Sequence, residues 1–187
     1  MSDAFLGDGL IFEDSLPMVW VPGSLLQGPE LARLNADNQQ LLGAESSLEE
    51  ARLHEPLKDE SAAMVHELQR LEFKLNIVLR LLSDLCLRQN ALPAPQRLRL
   101  SSGGLEWFAP EAAQTPGSSG VLHLYINPAL PQALKLQCTV AGERVANSVR
   151  VRQFKFVAIS EPVVALIEKL IFRHHRRLIA GSRHTAH

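Results

Sequence analysis

Residues 57–91 carry apolar side chains at Leu57, Met64, Leu68, Leu71, Leu75, Val78, Leu82 and Leu85, and from Met64 onward the steps alternate between four and three. That spacing is a heptad seam. With Leu57 at d, positions a fall on Ser61, Leu68, Leu75 and Leu82, and positions d on Met64, Leu71, Val78 and Leu85. At ~1.5 Å per residue, about 35 residues make a rod on the order of 50 Å long. A compact domain cannot bury such a rod along one seam by itself. The stripe is also wide, because Val65, Leu79, Leu81 and Cys86 occupy e and g. One partner helix would leave those flanks bare. Leu at a with β-branched Val78 at one d position leans toward higher oligomers. The seam therefore predicts self-association, with an intramolecular helical hairpin as the competing arrangement. Phe73 and Ile77 lie four apart on another face that could dock on the chain's own domain.

The preceding stretch, "GPELARLNADNQQLLGAESSLEEARLHE", reads as a helix with Pro29 in its first turn and Pro56 at its end or kink. It has half a seam. Leu34, Leu41 and Leu48 repeat every seven residues, but Asn38 and Glu45 fall between them. Its expected place is an outer layer against the long helix. Upstream, residues 1–15 read as flexible and 16–22 as one strand. The helical insertion covers 29–92, a β-rich part with a last helix covers 96–181, and 182–187 form a tail.

From Arg97 the period changes. "RLRL", "GLEWF", "VLHLYIN", "LKLQCTV" and "VRVRQFKFVAI" alternate with period 2 between Gly, Pro, Ser and Asn punctuation. Several short antiparallel strands of this kind predict a small barrel or sandwich. The chain closes on an amphipathic helix whose stripe is Val163, Leu166, Ile167, Leu170, Ile171 and Leu178, started by Glu161-Pro162 and ended by Gly181. The fold class is α+β: a small antiparallel barrel, a long helical insertion and a C-terminal helix.

Charge and motifs exclude several functions. The net charge is −1, but residues 1–72 hold fourteen Asp/Glu against four Lys/Arg, and 148–183 hold eight Lys/Arg against two Asp/Glu. A basic end can attract nucleic acid or acidic lipid. Acidic and basic parts that meet within one assembly explain the same asymmetry better, and nucleic acid is not the expected partner. Cys86 and Cys138 sit in apolar runs and read as buried thiols. The first residues show no basic n-region or long apolar h-region, and no stretch has the length of a membrane span, so a cytoplasmic protein is expected. His174 and His175 project about 100° apart on a helix and do not share a metal. Together with Arg173, Arg176 and Arg177 they read as a solvated basic face. Trp20 and Trp107 read as core or wall residues. No phosphate loop, nucleophile elbow or zinc spacing occurs. Neither an enzyme, a metal nor a cofactor is expected.

The "LSSGGLEW" corner, the strand series and the ending "VRVRQFKFVAIS…ALIEKLIFRHHRRL" together resemble a PilZ domain, a small barrel family best known for binding cyclic di-GMP in bacteria. The resemblance covers about 97–180 and strand 16–21. Dinucleotide-binding members carry Arg-x-x-x-Arg before the first strand and Asp/Asn-x-Ser-x-x-Gly at a strand corner. The second pattern falls on Arg99, Ser101 and Gly104. Ser101 and Gly104 match, and Arg99 stands where the guanine reader is expected. The first pattern is missing, since residues 1–15 contain no Arg or Lys. The resemblance thus implies weak or absent cyclic di-GMP binding, with a protein as the expected partner. An alternative is a sensor that uses Arg97, Arg99 and Arg150 or Arg152 as a non-standard arginine set. The helical insertion is similar to that of an atypical, tetramer-forming PilZ subgroup associated with bacterial virulence, which implies a homotetramer.

Overall fold

The computed structural model describes residues 5–7, 9–53, 92–108, 115–127 and 132–184, with 66–68, 70–71, 73–75, 77–78 and 81–82 between them. The first strand, β1 (Phe12–Pro22), has two neighbours in succession. Its first half, Phe12 to Pro17, pairs with Leu100 to Pro95 of β2 (Pro95–Leu100). Its second half, Met18 to Pro22, pairs with Leu124 to Gly120 of β4 (Ser119–Leu124). Pro17 stands at the change of partner, where a strand residue without an N–H fits. With β3 (Gly104–Phe108), β5 (Leu134–Ala146) and β6 (Val149–Phe156), the strands close an antiparallel barrel in the order β1-β2-β3-β6-β5-β4. Asn147 and Ser148, both at positive φ (50° and 64°), turn the β5–β6 hairpin, as a two-residue turn of this hand requires.

Adjacent residues on a strand face opposite ways, so neighbouring rows of cross-strand partners differ in kind. One row runs Phe12, Leu100, Leu105, Phe154 and Val140, and every member is buried. Phe154 lies 5.0 Å from the Trp20 ring and 6.3 Å from the Trp107 ring, so both tryptophans line the core. The next row runs Glu13, Arg99, Glu106 and Gln153 on the outer face.

Two helices join the core, α1 (Gly28–Leu53) and α2 (Glu161–His184). α2 buries Val163, Ile167, Leu170 and Ile171. α1 buries Leu41 and Leu42, and its polar residues do the docking. Asn38 donates from Nδ2 to the Lys135 carbonyl at 2.7 Å and accepts the Lys135 N–H at 3.0 Å, pairing the backbone of β5 as another strand would. Asn35 donates to the Ala158 carbonyl and accepts the Ser160 N–H, fixing the entry to α2. Glu45 accepts Asn127 Nδ2 at 2.6 Å.

Four expectations change. β1 begins at Phe12, so 12–15 are strand: backbone pairing with β2 decides there, although Glu13, Asp14 and Ser15 look loop-like. α1 lies on α2 and β5, because Asn38 and Glu45 seek the barrel's backbone and Asn127. α2 runs through Gly181 to His184. Phe73 and Ile77 are 66% and 38% exposed and do not dock on the barrel.

Asn38→Leu extends the apolar repeat of α1 but leaves two part-buried backbone groups of Lys135 without their partner. A loss of about 1–3 kcal/mol in urea unfolding is expected.

Candidate functional site

The corner singled out by the sequence joins β2 to β3. The Ser101 N–H donates to the Gly104 carbonyl at 2.9 Å, and the Ser101 hydroxyl accepts the Gly103 N–H at 3.3 Å. Ser101 is buried and spends its polar groups on the turn itself. The Gly103 carbonyl in turn accepts the Phe156 N–H, tying the corner to β6. A Cβ on Gly104 would lie 2.7 Å from the Phe154 carbonyl oxygen and 3.3 Å from the Phe5 ring. The glycine is therefore needed for the close approach of β3 to β6, and the chain's own Phe5 covers it.

Arg99 is held on the barrel wall. Its guanidinium lies 3.4 Å from Glu106 and 3.7 Å from Glu13. Glu106, only 2% exposed, also takes a two-pronged contact from Arg144 at 2.8 and 2.7 Å and a hydrogen bond from Gln153 at 3.0 Å. A β-bulge between Val140 and Gly142 accompanies this approach of Arg144. The result is a polar belt across five adjacent strands. Burial pushes the Glu106 carboxyl upward, but hydrogen bonds from Arg144 and Gln153 and the charges of Arg144 and Arg99 hold it below its ordinary range.

Arg97 pairs with Glu13 at 2.6 Å and lies over the Phe108 ring at 4.8 Å. Arg152 is buried and pairs with Glu143 at 2.5 Å. Arg150 is exposed near the tip of the β5–β6 hairpin. The structure does not gather these arginines at the corner. It places there instead a cavity of about 380 Å³, lined by Leu6, Gly9, Leu10, Ser101, Ser102, Glu168, Ile171 and Phe172. Among the described lining residues Glu168 is the one that is charged.

Elsewhere, Cys138 is a buried thiol pushed up to about 12 by burial, against a backbone hydrogen bond at Leu122. His123 is half-buried on β4, and burial and the facing Lys135 lower its pKa. Among the described residues no group of His, Cys, Asp and Glu could hold a metal. No described helix is long and apolar enough to cross a membrane. Of the seam, Leu68, Leu71, Leu75, Val78 and Leu82 are helical and 48–60% exposed. Leu57, Met64 and Leu85 lie outside the described residues, as does Cys86.

No local pattern signals that Glu106, Arg144 and Gln153 meet. The one available signal was a carboxylate between Leu105 and Trp107, at a position that alternation makes outward-facing.

A six-stranded antiparallel barrel with a strand–helix ending and an accessory helix defines a small closed-barrel domain. The atypical PilZ domain, described as a cyclic di-GMP receptor, matches residues 42–184, and the chain belongs to that family. Among solved structures the chain is similar to a pathogenic protein from Xanthomonas campestris, described as a tetrameric PilZ domain self-assembled via an unusual helical bundle. The TM-score is 0.75 at 24% identity, over 94% of this chain and 93% of that one. It is also similar to the PilZ domain of YcgR from Escherichia coli with c-di-GMP, with a TM-score of 0.38 at 16% identity, over 48% of this chain and 77% of that one. No curated protein matches.

Glu106→Gln removes the charge that Arg99 and Arg144 face, and about 1.5–3 kcal/mol of stability should be lost in denaturant unfolding at neutral pH. The sign in pH follows from the lowered carboxyl. The Glu106 contribution is complete above the unfolded value near 4.5 and disappears as pH falls through the folded one. The native chain and Glu106→Gln should therefore converge in acid. Gly104→Ala drives a methyl against backbone and should cost about 1–3 kcal/mol, with no ligand present.

Proposed function

We propose that this protein is a non-enzymatic, cytoplasmic PilZ signalling or scaffold protein. It self-assembles through the heptad helix as a homotetramer, presents its barrels to a protein partner and binds cyclic di-GMP weakly or not at all. The observation that carries the reading is the bare seam. Five apolar residues in heptad register stand exposed on one chain, together with Phe73, Ile77 and Leu81. Each Leu so exposed forgoes about 1.5–3 kcal/mol of burial. Helices from other copies, packed knobs-into-holes, are the economical way to cover a stripe this wide. The tetramer formed by the Xanthomonas protein supports the same arrangement for this chain.

Arg99 argues against the usual nucleotide mode. A guanidinium already facing Glu106 and Glu13 has no cause to leave them for a phosphate. The cavity at the corner offers a dianion no cation among its described lining residues, and Phe5 covers Gly104.

The alternative is a cyclic di-GMP sensor with a non-standard arginine set. It is favoured by the family's description and by the exposed Arg150.

Replacing Leu68, Leu75 and Leu82 together by Ser should break the native assembly into smaller species by light scattering, with the barrel's circular dichroism retained. An unchanged mass places the interface elsewhere. In calorimetry, cyclic di-GMP should show no binding tighter than about 100 μM. Micromolar binding lost in Arg99→Ala would establish the sensor instead.

A further inference from the structure

Phe12 pairs with Leu100, the residue before the corner, so the chain that precedes β1 leaves the barrel beside that corner. Residues 7–11 separate Leu6 from the strand, and they include Gly7 and Gly9. Gly7 has φ 79°, a left-handed backbone, and a Cβ there would meet nothing within 4 Å. Its missing side chain therefore serves the turn and not the packing. Phe5 and Leu6, on the far side of that turn, rest on the corner. Phe5 is half-buried, with its ring 3.3 Å from the place a Cβ on Gly104 would take. Leu6 is buried in the cavity wall, together with Ser101 and Ser102 of the corner and Ile171 and Phe172 of α2.

Two kinds of attachment meet in this stretch. From Phe12 onward, backbone ladders to β2 and β4 hold β1. Phe5 and Leu6 are held at the corner by apolar side-chain contact, and Gly9 and Leu10 between the two regions are exposed. A contact made by two side chains opens at a smaller free energy than a ladder within a closed barrel, and it opens without breaking the barrel. Opening uncovers Gly104 and adds the seat of Leu6 to the cavity of about 380 Å³.

We propose that Phe5, Leu6 and Gly7 form an autoinhibitory plug, hinged at Gly7, that any ligand of the β2–β3 corner must displace. The short tether keeps Phe5 and Leu6 at the corner at an effective concentration far above that of a free competitor. The apparent affinity of the corner for a second occupant is reduced by the fraction of chains that are open. The chemistry of such an occupant is the plug's own, an aromatic side chain next to an aliphatic one. The plug is a property of the single chain, beyond the scaffold reading and independent of assembly through the seam.

A labelled copy of the plug tests it in trans on the full chain. The probe is Asp-Ala-Phe-Leu-Gly-Asp, residues 3–8 of the sequence, and the control is Asp-Ala-Ser-Ser-Gly-Asp. By fluorescence anisotropy the probe should bind Phe5→Ser/Leu6→Ser at least about tenfold more tightly than the native chain, and the control should bind neither. Gly7→Val keeps both apolar side chains, meets no neighbour and disfavours only the left-handed turn. It should bind the probe at least about threefold more tightly than the native chain. Gly7→Val alone decides the outcome if the double variant loses the parent's circular dichroism. Equal binding by the native chain and Gly7→Val would overturn the proposal, as would a probe that binds no better than its control. Light scattering on the same samples separates the plug from the assembly. A single-chain mass with tighter probe binding in Gly7→Val removes the scaffold assembly and leaves the plug. An intact assembly with equal probe binding removes the plug alone.

Discussion

The change of partner at Pro17 is the constraint on which the rest depends. Because β1 pairs with β2 before it and β4 after it, the sheet closes and no strand of the barrel order is left at an edge. Closure fixes the register all round. The buried row from Phe12 to Val140 and the polar row from Glu13 to Gln153 are then one residue apart and face opposite ways. The core and the belt are two consequences of one register.

That register also decides the fate of the corner. Gly104 lets β3 approach β6, Ser101 closes the turn, and Arg99 is carried to the outer wall beside Glu106. Each residue that the family pattern marks for a ligand has a structural use here. The cavity that remains beside the corner is lined by Leu6, Gly9 and Leu10 of the N-terminal segment and by Glu168, Ile171 and Phe172 of α2. Arg97 and Arg99 of β2, which lie outside the basic stretch 148–183, face Glu13 of the acidic first part.

Strands β2 to β6 were legible because period-2 alternation marks a surface buried on one face. The first half of β1 was not, because Glu13, Asp14 and Ser15 hide a backbone ladder behind polar side chains. Asn38 and Glu45 read as flaws in a seam, yet they are the contacts that seat α1. Their partners, Lys135 and Asn127, are far away in sequence, and no local pattern announces a hydrogen bond to a distant backbone. The belt was hidden for the same reason. The corner was located correctly from "LSSGGLEW", while its covering by Phe5 and Leu6 left no periodic trace.

The described residues of the heptad segment contrast with this closed unit. They are exposed, and neither α1 nor the barrel covers Leu68, Leu71, Leu75, Val78 or Leu82. A barrel that satisfies itself, beside apolar helical residues that stand exposed, is the physical basis on which self-assembly is proposed. Sedimentation equilibrium of the native chain across a dilution series tests this most directly. A mass four times the 20.7 kDa of one chain is the expected result. A mass of one chain at micromolar concentration would contradict it.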